Sequence, residues 1–127
     1  MDILYISPKA QKELSLYCDE KLVTEVINHF TTKGTIVANY DDTKRCLWIV
    51  TDYIQEDTIE RKKKLSVILS LAAVCGCGII QIGNRQALGD VNVLCMLKDL
   101  KYISEEDFDY FVEAFFNFSQ GKGVKFT

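Results

Sequence analysis

From Leu65 to Asn84 the chain runs twenty residues without a charged side chain, bounded by Lys64 and Arg85. No other feature restricts the fold as much. Length alone would let such a stretch cross a bilayer as a helix. It also holds Ser66, Ser70, Gln81, Asn84 and the glycines Gly76, Gly78 and Gly83. Glycine accepts the left-handed backbone of a helix exit, so the stretch divides into an apolar helix ending at Gly76–Gly78 and a strand, Ile79–Ile82. A span would erase that division, and the reading is a soluble chain with no membrane span. Asp57-x-x-Glu60 places carboxylates where a helix start wants them. After Arg61–Lys64 the helix is apolar on nearly every side: Leu65, Val67, Ile68, Leu69, Leu71, Ala72, Ala73 and Val74. Such a helix is covered by its own chain or by a second subunit. One small sheet is too little to cover Leu65, Ile68, Leu69 and Ala72 together, and exposed apolar patches mark interfaces. These four are the expected homodimer interface.

The 127 residues make one domain, 1–127, large enough to hold a core without disulfides or metal. Asp2–Ile6 is a short β-prone run. Ser7-Pro8 reads as a helix start, followed by Ala10, Leu14, Tyr17, Cys18, Leu22, Val26, Ile27 and Phe30 at helical spacing. Asp19-Glu20 offers a point of division, and the β-branched content beyond it leaves residues 19–33 open between helix and strand. Thr35–Tyr40 and Arg45–Ile54 read as a hairpin around Asp41–Lys44. In its second strand Cys46, Trp48 and Val50 share one face and Leu47, Ile49 and Tyr53 the other. Both faces are apolar, which fits a central strand or one whose outer face meets a partner. Asn84–Asp90 reads as the loop of a second hairpin, with Val91, Val93, Cys95 and Leu97 alternating along its second strand. Ser104 caps the last helix, Glu105, Glu106 and Asp107 complement its dipole, and Ile103 with Phe108 form a hydrophobic staple. Phe108, Phe111, Val112, Phe115 and Phe118 are its buried stripe, and Gly121 follows its end. The fold class is α+β: an antiparallel sheet with about three helices, in the order α-β-β-(β)-α-β-β-α.

Chemistry-bearing constellations are scarce. A net charge of −3 and a pI near 5.1 argue against nucleic acid as a partner. Five cysteines without a signal peptide fit a reducing cytoplasm. Cys75-Gly-Cys77 lacks zinc spacing and has no histidine nearby, so it reads as small thiols at a helix-to-strand turn, with no metal and no cofactor. His29 forms no triad signature, and Glu105–Asp107 serve the helix start. Trp48 stands open between core and contact surface. The chain is therefore read as no enzyme.

Size, acidity and element order, and above all the segment VNVLCMLKDLKYISEEDFDYFVEAFFNF (Val91–Phe118), resemble the class I type III secretion chaperones of Gram-negative bacteria. The likeness covers Arg45–Gln120, while the region before Gly34 is more helical than the family's start. The resemblance implies a bacterial, cytoplasmic homodimer without catalytic activity that binds a non-globular segment of a secreted effector. The effector contacts would come from the Arg45–Ile54 strand, through Trp48, Ile49 and Tyr53. Two other classes stay open: a small enzyme or ligand-binding domain with an unrecognised site, and an immunity-type protein that binds a folded toxin.

Overall fold

The computed structural model describes residues 6–33, 36–38, 45–55 and 57–119. Helix α1 (Pro8–Tyr17) starts where Ser7 Oγ accepts the Ala10 N–H at 3.1 Å. Asp19 divides it from α2 (Glu20–Lys33) by accepting the Leu22 N–H at 3.0 Å, so the second half is helix, not strand. Val23, Val26, Ile27 and Phe30 form its buried stripe, which shows the helical period prevailing over β-branched propensity. Strands β1 (Ile36–Ala38) and β2 (Arg45–Ile49) pair antiparallel, in the expected hairpin order. The loop Asp41–Lys44 and the run Asp2–Tyr5 lie outside the described residues.

Strand β2 stops sooner than expected. A 3-10 turn (Thr51–Ile54) follows it, closed by the Tyr53 N–H on the Val50 carbonyl at 2.9 Å. Tyr53 therefore leaves the sheet. Helix α3 (Thr58–Val74) begins where Asp57 accepts the Ile59 and Glu60 N–H groups, at 3.1 and 3.2 Å. Cys75, Gly76 and Cys77 then form its exit, with the Cys77 N–H on the Ala72 carbonyl at 2.8 Å. The thiol pair belongs to a helix-to-strand turn.

Helix α3 joins β2 to the strand beside it, β3 (Ile79–Ile82), and the two run parallel. Parallel neighbours need a helix-length crossover of this kind. The four-stranded sheet, in the order β1-β2-β3-β4, is thus mixed rather than antiparallel. β4 (Arg85–Leu88) follows β3 through the two-residue turn Gly83–Asn84, with Gly83 at φ +60°. Glycine at the first turn position is what such tight hairpins require.

The segment read as the last strand is a helix, α4 (Asp90–Asp99). Val93, Leu94, Met96 and Leu97 are buried while Val91 is exposed, a helical and not an alternating pattern. After it, α5 (Glu105–Ser119) starts at Ser104, whose Oγ accepts the Asp107 N–H at 3.1 Å. Ile103 and Phe111 are buried; the side chains of Phe115 and Phe118, and Gly121, lie outside the described residues. The class is α+β, with five α-helices among the described residues instead of about three.

One core unites these elements: Leu14, Phe30, Leu47, Ile68, Leu97 and Phe111 belong to a single cluster spanning α1 to α5. Within it α3 packs against α1 and α2. Leu65, Ile68, Leu69 and Ala72 are all buried inside the single chain. That corrects the expectation that they need a second subunit, because two N-terminal helices, not the sheet alone, cover them. Among the described residues no helix is long and apolar enough to cross a membrane. Lys64 ends up buried because α3 rotates it inward, where its ammonium donates to the Tyr53 carbonyl at 3.0 Å.

Candidate functional site

The strand pairing sorts the sheet into two faces. Leu47, Ile80 and Ala87 stand in one row of the inner face, and Ile49, Ile82 and Arg85 in the next. Leu47, Ile49, Ile80 and Ile82 belong to the core. The outer face carries the rows Cys46, Ile79, Leu88 and Trp48, Gln81, Gln86. Cys46 and Ile79 are buried there, whereas Trp48 keeps 36% and Leu88 46% of its surface open. Val50, just past the strand and of the same parity as Trp48, is 41% exposed. A second apolar face on a central strand is thus real.

The polar groups on this face hold one another in place. Gln81 donates to the Gly83 carbonyl at 2.9 Å and accepts from Gln86 at 2.8 Å. Its Oε1 also lies 4.0 Å from the Cys46 sulfur. Trp48 and Leu88 therefore flank a patch in which the Gln81 and Gln86 amides are partly engaged with each other.

The three expected contact residues do not share a surface. Trp48 lies on the outer face. Ile49, the next residue, points to the opposite side and is fully buried, as alternation along a strand dictates. Tyr53, in the 3-10 turn, is half-buried, with its ring stacked on His29 at 3.6 Å and 3°. The Lys64 ammonium sits 4.2 Å from the same ring. Burial, with the negative charge of Glu25 beside it, pushes the Tyr53 phenol up to about 12. Burial also lowers the Lys64 ammonium, against the opposing pull of Glu25. This knot of α2, turn and α3 fastens the helices to the end of β2, so Tyr53 packs on His29 and Lys64 and away from Trp48. No sequence signal marked Lys64 as a buried partner of Tyr53, since the two meet only through the turn.

Of the thiols, Cys46 and Cys77 are buried and Cys18, Cys75 and Cys95 partly so. Burial raises Cys46, Cys75 and Cys77, the last to about 11, which keeps them protonated at neutral pH. Cys18 is raised likewise, with a hydrogen bond to Ser70 opposing the shift. Among the described residues no three His, Cys, Asp or Glu side chains converge as metal ligands would.

Beyond the sheet's outer rows lies its edge. β4 ends at Leu88, and Gly89, at φ +88°, caps α4, so the chain doubles back and α4 runs beside β4. Between them is a groove of about 320 Å³ lined by β4 and by Asn92, Cys95, Met96 and Asp99 of α4. The sequence reading missed it, because it made this segment a strand.

Compared with protein families, curated proteins and solved structures, the chain matches none.

Proposed function

We propose that this protein is a non-catalytic polypeptide-binding protein that holds a non-globular segment of a secreted partner, as the class I type III secretion chaperones it resembles do. The observation that carries the reading is the outer sheet face, where Trp48 and Leu88 stand partly open on a four-stranded sheet whose other face is filled by core. Tryptophan is enriched among the anchors of protein interfaces, and here it sits on a central strand. The acidic net charge and five free cysteines fit a cytoplasmic setting. The reading needs no second copy of the chain, since the four α3 positions expected at a dimer interface are already covered. It also departs from the family's antiparallel sheet and three-helix order.

The test uses the chain's single tryptophan. Binding of a partner's extended segment should shift Trp48 fluorescence to the blue as the indole leaves water. Trp48→Glu should weaken that segment's affinity in titration calorimetry by about 2 kcal/mol, roughly thirtyfold. Its melting should stay near that of the parent protein. A partner that binds only as a folded domain, or binding indifferent to Trp48→Glu, would overturn the reading.

A further inference from the structure

The outer edge of β4 carries peptide groups that β3 does not pair. In an antiparallel hairpin with a two-residue loop, the pair next to the loop is hydrogen-bonded and the pairs then alternate. Ile82 with Arg85 and Ile80 with Ala87 are thus the bonded pairs. The Gly89 N–H on the Gly78 carbonyl at 3.1 Å continues the same alternation. Gln86 and Leu88 therefore turn their peptide groups away from β3. Asn92 donates its side-chain amide to the Leu88 carbonyl at 2.8 Å, which closes the inner end of the edge. Among the described residues no hydrogen bond is made to the N–H or C=O of Gln86.

The opposite wall is one face of a helix. Asn92, Cys95, Met96 and Asp99 line the groove, and the steps of three and four between them keep them on one side of α4. Because α4 runs back along β4 from Gly89, Leu88 and Asn92 mark the closed end and Arg85 and Asp99 the open mouth. A volume of about 320 Å³ lies at the small end of ligand clefts, enough for part of one strand but not for a folded domain.

We propose that the β4–α4 groove receives an extended polypeptide segment as a fifth strand, paired reciprocally with the Gln86 peptide group and entering past Arg85 and Asp99. This rests on the polypeptide-binding reading and gives it a place. Backbone pairing at a sheet edge is sequence-tolerant, and the groove supplies the selectivity. Its two mouth charges are opposite in sign and offset each other, and Asn92, whose amide nitrogen is taken by the Leu88 carbonyl, adds an amide oxygen able to accept. The matching occupant is uncharged and bears a short hydroxyl or amide side chain, serine, threonine or asparagine, at the position facing Asn92 and Cys95.

The probe is a random linear dodecapeptide library displayed on phage and selected on the whole protein. Selected peptides should be enriched in Ser, Thr and Asn and bind as strands. Gln86→Pro removes the outward N–H and leaves the β3 ladder intact, a position where an edge strand tolerates proline. It should cut their affinity at least tenfold. Cys95→Phe fills the groove without touching the edge and should do the same, and it decides the matter if the proline variant fails to fold. Peptides unaffected by both changes but weakened by Trp48→Glu would overturn the groove and leave the polypeptide-binding reading standing. A library that yields no binder would overturn both.

Discussion

Helices α3 and α4 end in the same closure, with different residues at its critical position. In α3 the Cys77 N–H reaches the Ala72 carbonyl at 2.8 Å and the Gly76 N–H reaches Ala73 at 3.3 Å. In α4 the Tyr102 N–H reaches Leu97 at 2.9 Å and the Lys101 N–H reaches Lys98 at 3.0 Å. Both have the paired bonds of a Schellman motif, whose left-handed residue is ordinarily glycine. That residue is Gly76, at φ +73°, in one and Lys101, at φ +64°, in the other. A side chain in this conformation costs roughly 1–2 kcal/mol. Glycine gives back roughly 0.4–1 kcal/mol through the greater freedom of its unfolded chain. Lys101→Gly should therefore stabilise the protein by about 0.5–1 kcal/mol, raising the melting temperature by roughly 2–4 °C for a domain of this size. Gly76→Ala should lower stability by about the same amount. A Cβ at Gly76 meets nothing within 4 Å, so backbone strain alone would cause the loss. Urea unfolding with unchanged m would measure both. A Lys101→Gly variant less stable than the parent would refute the argument. It would mean that the Lys101 side chain makes a contact worth more than the strain, in the cavity of about 480 Å³ it shares with Arg61 and Glu105.

Three further outcomes are expected. Ile49→Glu should abolish cooperative melting by placing a charge in the core, whereas Trp48→Glu should leave a folded protein, as circular dichroism can compare. Leu69→Ala should cost about 2–4 kcal/mol, and its melting temperature should not vary with protein concentration, because Leu69 is covered within one chain; a dimer would melt higher as concentration rose. Tyr53 should resist ionisation until about pH 12. Its raised phenol stabilises the fold fully below pH ~10, the usual tyrosine value, and that contribution disappears as pH rises through about 12. In an ultraviolet titration, Tyr53→Phe should therefore lose a phenol that ionises at about pH 12.

What the sequence announced clearly was capping. Ser7, Asp57 and Ser104 each stand where a helix starts, because short polar side chains satisfy N–H groups that have no partner in the first turn. Periodicity was harder to read where two periods fit one segment. Val91, Val93, Cys95 and Leu97 alternate like a strand, yet Val93, Leu94 and Leu97 also fit a helix face, and Leu94, Met96 and Lys98 are good helix formers. Burial of Leu94 and Met96 decides for the helix. At Trp48 the two-faced pattern of β2 was legible, but which face met the core depended on α3 crossing over one side of the sheet. Tyr53 and Lys64 could not have been paired from sequence, since a 3-10 turn brings the carbonyl of one to the ammonium of the other. Nor could local pattern reveal that α1 and α2 would cover α3.

The segment whose period was ambiguous is also the one on which the site depends. Had residues 91–97 formed a strand paired with β3, a long loop would have joined them, and the exposed edge would have fallen on a Val- and Leu-rich element. Instead Gly83 makes a tight turn, β4 takes the short and polar sequence Arg-Gln-Ala-Leu, and Gly89 reverses the chain into α4. Short edges with charged or polar residues resist indiscriminate pairing, and a helix alongside narrows access further. Among the described residues the Gln86 N–H and C=O are left as an outward pair, framed by a groove of limited volume. Selectivity of that kind is what the proposed binding of one extended segment would require.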